Sequence, residues 1–223
     1  MLEPNHPNVA RDLNNLAQLL QATNRLSDAE PLMRRALAID EASFGPDHPN
    51  VARDLNNLAA LLQATNRLSD AEPLMRRALA IDKANFGPDH PNVAIHLNNL
   101  AALLQATNRL SDAEPLMRRA LAIDEASFGP DHPNVAIDLN NLARLLQATN
   151  RLSDAEPLMR RHLEILLQFT ADTDHEHPYL HAAIANYAVL LGEMGRSPTQ
   201  IRAQLEGIGR PFGMQIGFGE QGK

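Results

Sequence analysis

The sequence predicts an all-α solenoid, a stack of antiparallel helix pairs, and three observations support this fold class. A His-Pro-led segment of 42 residues recurs almost unchanged from His6, His48, His90 and His132, and a looser fifth copy opens at His177. A fixed period of roughly 20 to 50 residues is the signature of a solenoid. Each copy also contains two segments of helical apolar spacing, and a Gly-Pro pair separates the first four copies from one another. Such repeats share a core with their neighbours along the stack.

The first helix of a repeat is clearest in the second copy, where the apolar residues fall on one helical face. Pro49 suits the first turn, because its missing N–H would have no partner within the helix. The pattern predicts a helix end near Ala64, with Asn66 in the left-handed conformation that closes many helices. The apolar residues are Val51, Leu55, Leu58, Ala59 and Leu62.

The second helix of the same repeat follows after a short turn. Ser69 and Glu72 have the spacing of a capping box, which predicts the helix start and leaves Pro73 within the first turn. Gly87 and Pro88 predict its end. Neither helix can bury its apolar face alone, so neighbouring repeats must stack. The apolar residues of the second helix are Ala71, Leu74, Met75, Ala78, Leu79 and Ile81.

Composition excludes several classes of function. The net charge of -7 argues against a nucleic-acid partner, because phosphate binding requires a basic face. The chain has no cysteine, which excludes disulfides, thiol catalysis and thiolate metal sites. No segment approaches the roughly 20 apolar residues of a membrane helix, and the first residues lack the pattern of a signal peptide. We therefore expect a cytoplasmic protein that does not enter a membrane.

The repeat resembles the tetratricopeptide repeat. The phrases LNNLA, AEPLMRRALAI and FGPDHPNVA are similar to the 42-residue variety of kinesin light chain and nephrocystin-like proteins. One departure is Leu where that family usually has Tyr late in the first helix, at Leu20, Leu62, Leu104 and Leu146. The resemblance implies a right-handed α-solenoid whose first helices line a concave groove. It also implies a non-catalytic scaffold for protein–protein interaction.

The predicted organisation is a single repeat array over residues 1–207. The fourth repeat has extra apolar residues in its second helix, where His162 and Leu166 stand in place of Ala120 and Asp124 of the third, which predicts a different neighbour. The Gly-rich residues 208–223 are predicted to be a disordered tail. The predicted repeats are 6–47, 48–89, 90–131, 132–176 and 177–197, followed by a capping helix at 198–207.

Asparagines at one position of successive first helices predict the ligand surface. A carboxamide both donates and accepts hydrogen bonds, so a ladder of them can pair with the backbone of an extended peptide. Arginines on the same face could bind an acidic peptide. Two alternatives stay open: the asparagines pair with adjacent helices, or the variable positions are merely exposed. The predicted groove residues are Asn14, Asn15, Asn56, Asn57, Asn98, Asn99, Asn140, Asn141, Asn186, Arg11, Arg53, Gln18 and Arg144.

The sequence offers little for catalysis. The histidines that precede proline at each repeat start indicate a structural role, because they recur in every copy. His175, His177 and His181 form a candidate metal cluster, although an exposed polar loop explains them equally well. The terminal GFGEQGK matches two phosphate-loop patterns but lacks the helix that both require. No nucleophile or acid–base pair stands out, so we predict no enzyme and no cofactor.

The partner predicted for the groove is a protein or a linear peptide. One alternative is a structural array that associates with itself, as a dimer or a filament, through uncapped repeat ends. Another is a sensor or docking fragment of a larger signalling protein. Residues 2–5 align with residues 44–47 at the end of the first repeat, which suggests a preceding repeat and supports both alternatives.

Overall fold

The computed structural model describes residues 6–214 and residue 216, and in this part of the chain the regular secondary structure is all helical, without a strand. The predicted all-α class is confirmed. By its internal contacts the chain divides into two compact bodies, an N-terminal body, Met1–Ile123, and a C-terminal body, Asp124–Lys223. The helices are α1 (Pro7–Ala22), α2 (Leu26–Phe44), α3 (Pro49–Ala64), α4 (Leu68–Phe86), α5 (Pro91–Ala106), α6 (Leu110–Phe128), α7 (Pro133–Ala148), α8 (Leu152–Thr173), α9 (Leu180–Glu193) and α10 (Pro198–Gly209), with a 3-10 helix at Arg210–Phe212.

The N-terminal body is built from helix pairs, each packed against the next. Helix α3 contacts its own partner α4 and also α2 of the preceding repeat, and α4 contacts α5 in turn. Val51 and Leu55 of α3 are fully buried in a cluster with Ala78 and Ile81 of α4. Leu37 of α2 packs against the same cluster. The first helix of a repeat therefore buries two faces, one against each neighbouring second helix.

The turn residues of the repeats behave as predicted. The Nδ1 atom of His48 accepts a hydrogen bond from the backbone N–H of Asn50 at 3.1 Å, so the histidine caps α3 and its structural role is confirmed. Asn66 adopts φ 59°, the left-handed conformation expected after α3. Gly87 follows α4 with φ 89°, a conformation that glycine adopts without steric cost. The equivalents His6, His90 and His132 cap their helices in the same way.

The capping box predicted at Ser69 and Glu72 is wrong. Helix α4 begins at Leu68, one residue before Ser69, and its N-cap residue makes no side-chain cap hydrogen bond. The Glu72 carboxylate instead accepts hydrogen bonds from Arg76 of the same helix and Arg109 of the next repeat. Hydrogen bonds between two charged groups are stronger than a bond to a neutral backbone N–H. Glu72 therefore pairs with the two arginines and does not cap the helix. Pro73 consequently lies in the second turn, inside the helix.

The C-terminal body ends in the predicted capping helix. Helix α10 packs against α8 and α9, and it starts with a capping box formed by Ser197 and Gln200. The hydroxyl of Tyr187 on α9 donates to Glu156 on α8 at 2.5 Å and accepts from the side chain of Gln204 on α10 at 2.6 Å. One buried tyrosine thus ties three helices together.

The fourth repeat differs from the others as its sequence indicates. Helix α8 has 22 residues, against 19 in α2, α4 and α6, and Leu166 and Leu167 on it are buried. His162 is also buried, and its Nδ1–H donates to the carbonyl of Ala136 at 2.8 Å. Burial lowers the pKa of His162, which favours the neutral form of its imidazole.

The described part of the predicted tail is folded. Helix α10 continues to Gly209, the 3-10 helix follows, and Ile216 is buried. A side chain at position 209 would clash, because a Cβ atom there would lie 2.6 Å from the carbonyl oxygen of Met214 and 2.7 Å from Ile216. Glycine therefore permits the close return of this segment. Residues 215 and 217–223 lie outside the described residues.

Candidate functional site

The predicted groove residues of the N-terminal body lie on α1, α3 and α5. Asn15 is exposed, whereas Asn57 and Asn99 at the same position of the next repeats are half-buried. A cavity of about 350 Å³ opens between α3 and α5, and two of the predicted residues, Arg53 and Asn56, line it. The other lining residues are Pro49, Asn50, Asp82, Asn92, Ile95 and His96.

Some of the asparagines pair with neighbouring helices, which was one of the open alternatives. Asn99 donates through Nδ2 to Oδ1 of Asn56 at 2.9 Å, joining α5 to α3. Asn14 is buried and donates to Oδ1 of Asp54 at 2.8 Å, so Asn14 is not part of an accessible ladder. A carboxamide has two donor hydrogens and an oxygen with two lone pairs, so Asn99 retains capacity for a ligand.

The remaining predicted residues retain at least partial exposure. In the N-terminal body, Arg11 and Gln18 are exposed and Asn98 is half-buried. In the C-terminal body, Arg144 and Asn186 are exposed. Asn140 and Asn141 are half-buried.

A pair of buried carboxyl groups lies beside this face, between α2 and α3. Arg53 Nη2 lies 3.2 Å from Oδ1 of Asp54 and 3.5 Å from Oδ2 of Asp40, while both carboxyl side chains are almost fully buried. Burial raises the pKa of Asp54 to about 6, and the adjacent guanidinium of Arg53 opposes this rise only in part. Burial likewise raises the pKa of Asp40, against the same opposing charge. The two acids and one cation form a compact charged cluster.

The next repeat has a different arrangement at the same place. His96 stands where the preceding repeat has Asp54, and its Nε2 lies 3.0 Å from Oδ2 of Asp82. The side chains of His96 and Asp82 are only 7% and 5% exposed. Burial lowers the pKa of His96, although the Asp82 charge acts in the opposite direction. Within the described part of the chain, Oδ1 of Asp82 and Nδ1 of His96 have no hydrogen-bond partner.

The burial of these acids was not predicted from the sequence. Asp12, Asp54, His96 and Asp138 occupy one position of the repeat, beside the single apolar face predicted for each first helix. Helix α3 is covered on two faces, by α2 and by α4, so a polar residue beside its apolar stripe can also be buried. The Asp-to-His change at position 96 was the available signal.

The histidine cluster of the C-terminal body does not converge on one point. Nδ1 of His175 donates to the carbonyl of Thr173, and Nδ1 of His177 accepts from the backbone of Tyr179. Nδ1 of His181 lies 2.6 Å from Glu176. Within residues 6–214 and 216, no group of three or more His, Cys, Asp or Glu side chains is placed to hold a metal ion.

Two further sequence observations can be compared with the structure. Over the described residues, no helix combines the length and the apolar character needed to cross a membrane. The terminal GFGEQGK, which resembles phosphate loops in spacing, lies outside the described residues.

The chain belongs to the tetratricopeptide repeat family, which its sequence matches over residues 2–42, 13–84, 70–126 and 112–168. No curated protein matches the sequence. The repeats therefore indicate a scaffold for protein–protein interaction, because that is the common use of this family.

Solved structures show the same fold at low sequence identity. One is a Podosopora anserina protein described as a kinesin light chain with nearly identical TPR-like repeats, with a TM-score of 0.75 and 23% identity over 95% of this chain and 97% of that chain. BtubC (BKLC) from P. vanneervenii has a TM-score of 0.77 and 22% identity over 97% of this chain and 85% of that chain. YrrB, a TPR protein with an unusual peptide-binding site, has a TM-score of 0.52 and 16% identity over 88% and 84%. The chain is thus a kinesin light chain-like α-solenoid in fold.

Proposed function

We propose that this chain is a non-catalytic scaffold that binds an extended peptide, or an extended segment of a partner protein, along its first helices. One observation carries the proposal: Asn15, Asn57 and Asn99 occupy the same position on α1, α3 and α5. Asn99 is also hydrogen-bonded to Asn56, which lines the open cavity between α3 and α5. An extended peptide offers backbone donors and acceptors at a regular rise, so each repeat can meet it with one carboxamide. The peptide-binding site of a protein with the same fold, YrrB, supports this use of the architecture.

Arginines on the same face favour a ligand with acidic residues. Arg11 and Arg53 are both about half exposed or more, although each also contacts a neighbouring aspartate. Because guanidinium groups offer several donors, they can bind a ligand carboxylate while keeping their internal contacts. An affinity near 1 µM, about -8 kcal/mol, is expected for a flexible peptide that loses its freedom on binding.

The test is partner capture from native lysate by the wild-type chain and by the triple variant Asn15→Ala/Asn57→Ala/Asn99→Ala. Alanine is a better helix former than asparagine, so the helices remain intact and circular dichroism checks this. We expect a partner bound by the wild-type chain to be lost from the triple variant.

The matched control is Ser27→Ala/Ser69→Ala/Ser111→Ala. These serines are exposed on the second helices of the same three repeats, so their substitution changes as many polar groups away from the proposed surface. The control should capture the partner as well as the wild-type chain does. Equal capture by all three proteins would contradict a role of the asparagines in binding.

Self-association is a second candidate, and one surface favours it. On α1, the side chains of Leu16 and Leu19 are 47% and 61% exposed, whereas the equivalent Leu58 and Leu61 on α3 are each 1% exposed beneath the preceding helix pair. The apolar face of α1 is thus available to a second copy. A symmetric contact between the α1 faces of two copies would cover these leucines on both, so the expected assembly is a dimer.

A further inference from the structure

The buried charges next to the groove differ between consecutive repeats. Where α2 meets α3, the carboxyl groups of Asp40 and Asp54 are accompanied by the guanidinium of Arg53. Where α4 meets α5, Asp82 is paired with His96, and Ile95 stands at the position of Arg53. The first interface therefore contains its own cation, and the second interface has an isoleucine in its place.

The Asp82–His96 pair leaves two acceptor atoms unused. A carboxylate can only accept hydrogen bonds, so the imidazole proton is assigned to Nε2, which faces Asp82, and Nδ1 is left as an acceptor. Among the described residues, Oδ1 of Asp82 is the second acceptor without a partner. One oxygen each of Asp40 and Asp54 is likewise unpaired at the first interface, so the isoleucine in place of the cation is what distinguishes this site. Buried acceptors without donors are costly, so this site favours a ligand that brings hydrogen-bond donors.

The cavity between α3 and α5 provides the space for such a ligand. It has a volume of about 350 Å³, and both Asp82 and His96 contribute to its lining. Ile95, which is 52% exposed, forms part of its wall. The methylene groups of a long basic side chain can pack on this isoleucine while the charged end points inward.

We propose that the cavity between α3 and α5 binds a basic side chain, Lys or Arg, of the partner peptide, whose charged group pairs with Asp82. The guest cation takes the role that Arg53 has at the preceding interface. Arg53 also lines the cavity, so the basic side chain pairs with Asp82 while Arg53 remains available to a carboxylate elsewhere on the same ligand. Since His96 occurs in one repeat only, while the equivalent residues are aspartates, the pocket also fixes the register of a peptide on otherwise similar repeats.

The pocket can be tested with small probes by following the His96 ring resonances in NMR titrations of the full chain. The probes are N-acetyl-arginine amide and N-acetyl-lysine amide, with N-acetyl-citrulline amide as the uncharged analogue. The His96 resonances are assigned by their loss in His96→Gln. We expect saturable shifts with the two cations and none with citrulline, and binding about 10- to 100-fold weaker in Asp82→Asn, because a hydrogen bond to a charged group is lost.

A second variant separates occupation of the pocket from damage to it. Ile95→Arg introduces the residue that the first two repeats have at this position, so we expect a folded protein whose own guanidinium occupies the site and excludes the probe. Ala102→Arg adds the same charge on an exposed part of α5, away from the residues lining the cavity, and should leave probe binding unchanged. Unshifted His96 resonances in the wild-type chain, or equal binding by Asp82→Asn, would overturn the proposal.

The assignment of the cation to a peptide rests on the proposed function, but the pocket does not. Probe binding with no partner lost from the asparagine variant would support the cation site and contradict the ladder. If the asparagine variant loses the partner but the wild-type chain binds no probe, only the cation site is contradicted. The two failures are therefore distinguishable.

Discussion

Asp54 shows at the scale of one residue how stacking changes chemistry. Its carboxyl group is buried between α2 and α3, next to Asp40 and Arg53 and hydrogen-bonded by Asn14. Burial raises its pKa from the ordinary 3.8 to about 6. The folded chain therefore holds a proton at mildly acidic pH that the unfolded chain has released.

This difference predicts a fall in stability as the pH rises. Because the folded-state pKa is the higher one, the contribution is fully present below the unfolded-state value of 3.8 and is lost as the pH rises through about 6. In Asp54→Asn the carboxyl is absent. We expect the wild-type chain to lose about 1–3 kcal/mol more unfolding free energy than Asp54→Asn when the pH rises from 4.5 to 7. Urea denaturation at the two pH values measures this difference.

The control for this prediction is Asp12→Asn. Asp12 is the equivalent residue of the first repeat, but its side chain is 66% exposed on α1. Its substitution should leave the pH dependence of the wild-type chain unchanged. Parallel curves for the wild-type chain and Asp54→Asn would show that Asp54 has no raised pKa in the folded state.

At the scale of the helix, equivalent leucines separate the effect of sequence from that of position. Leu19 on α1 and Leu61 on α3 have the same local sequence, but Leu61 is covered by the preceding helix pair and Leu19 is exposed. Leu61→Ala removes buried methyl groups and should lower the unfolding free energy by about 2–5 kcal/mol. Leu19→Ala should change it by less than about 0.5 kcal/mol.

Both variants are measured by urea denaturation at the same low protein concentration. Each replaces leucine by alanine in almost the same stretch of helix, so helix propensity affects both equally. A large loss for Leu19→Ala at this concentration would mean that the apolar face of α1 is covered within one chain.

At the scale of the whole molecule, the exposed leucines of α1 predict self-association. We expect the mass measured by light scattering to rise from monomer to dimer with protein concentration, because burial of Leu16 and Leu19 removes apolar surface from water. The variant Leu16→Lys/Leu19→Lys should remain a monomer over the same range. Ala60→Lys/Ala102→Lys, which adds the same charge at exposed positions of α3 and α5, is the control and should dimerise. A concentration-independent wild-type mass would contradict this candidate.

Much of the fold follows from local chemistry that the sequence displays. The helix end at Ala64, the left-handed Asn66 and the glycine after α4 were predicted because each depends on a few consecutive residues. The capping box at Ser69 was predicted wrongly for the opposite reason. Its fate depended on Arg109, which lies 37 residues from Glu72 in the chain.

The candidate site was only partly predictable. Asn57, Asn99 and Arg53 were predicted from their spacing to share one face, whereas the burial of Asn14 and its contact with Asp54 were not predicted. A helix that packs against neighbours on two sides also buries polar residues that lie beside its apolar stripe. A prediction based on the apolar stripe alone treats these residues as exposed.

The sequence by itself determined the repeat, its helix pairs, the turn residues and the tetratricopeptide class, because period and turn chemistry are local properties. The tertiary structure decided which polar groups became buried and which stayed available. Asp12 and Asp54 occupy the same position of the repeat, yet Asp12 is exposed on α1, whereas Asp54 is enclosed and has a raised pKa. Burial depends on the neighbouring helix, and a single repeat read along the chain does not specify that neighbour.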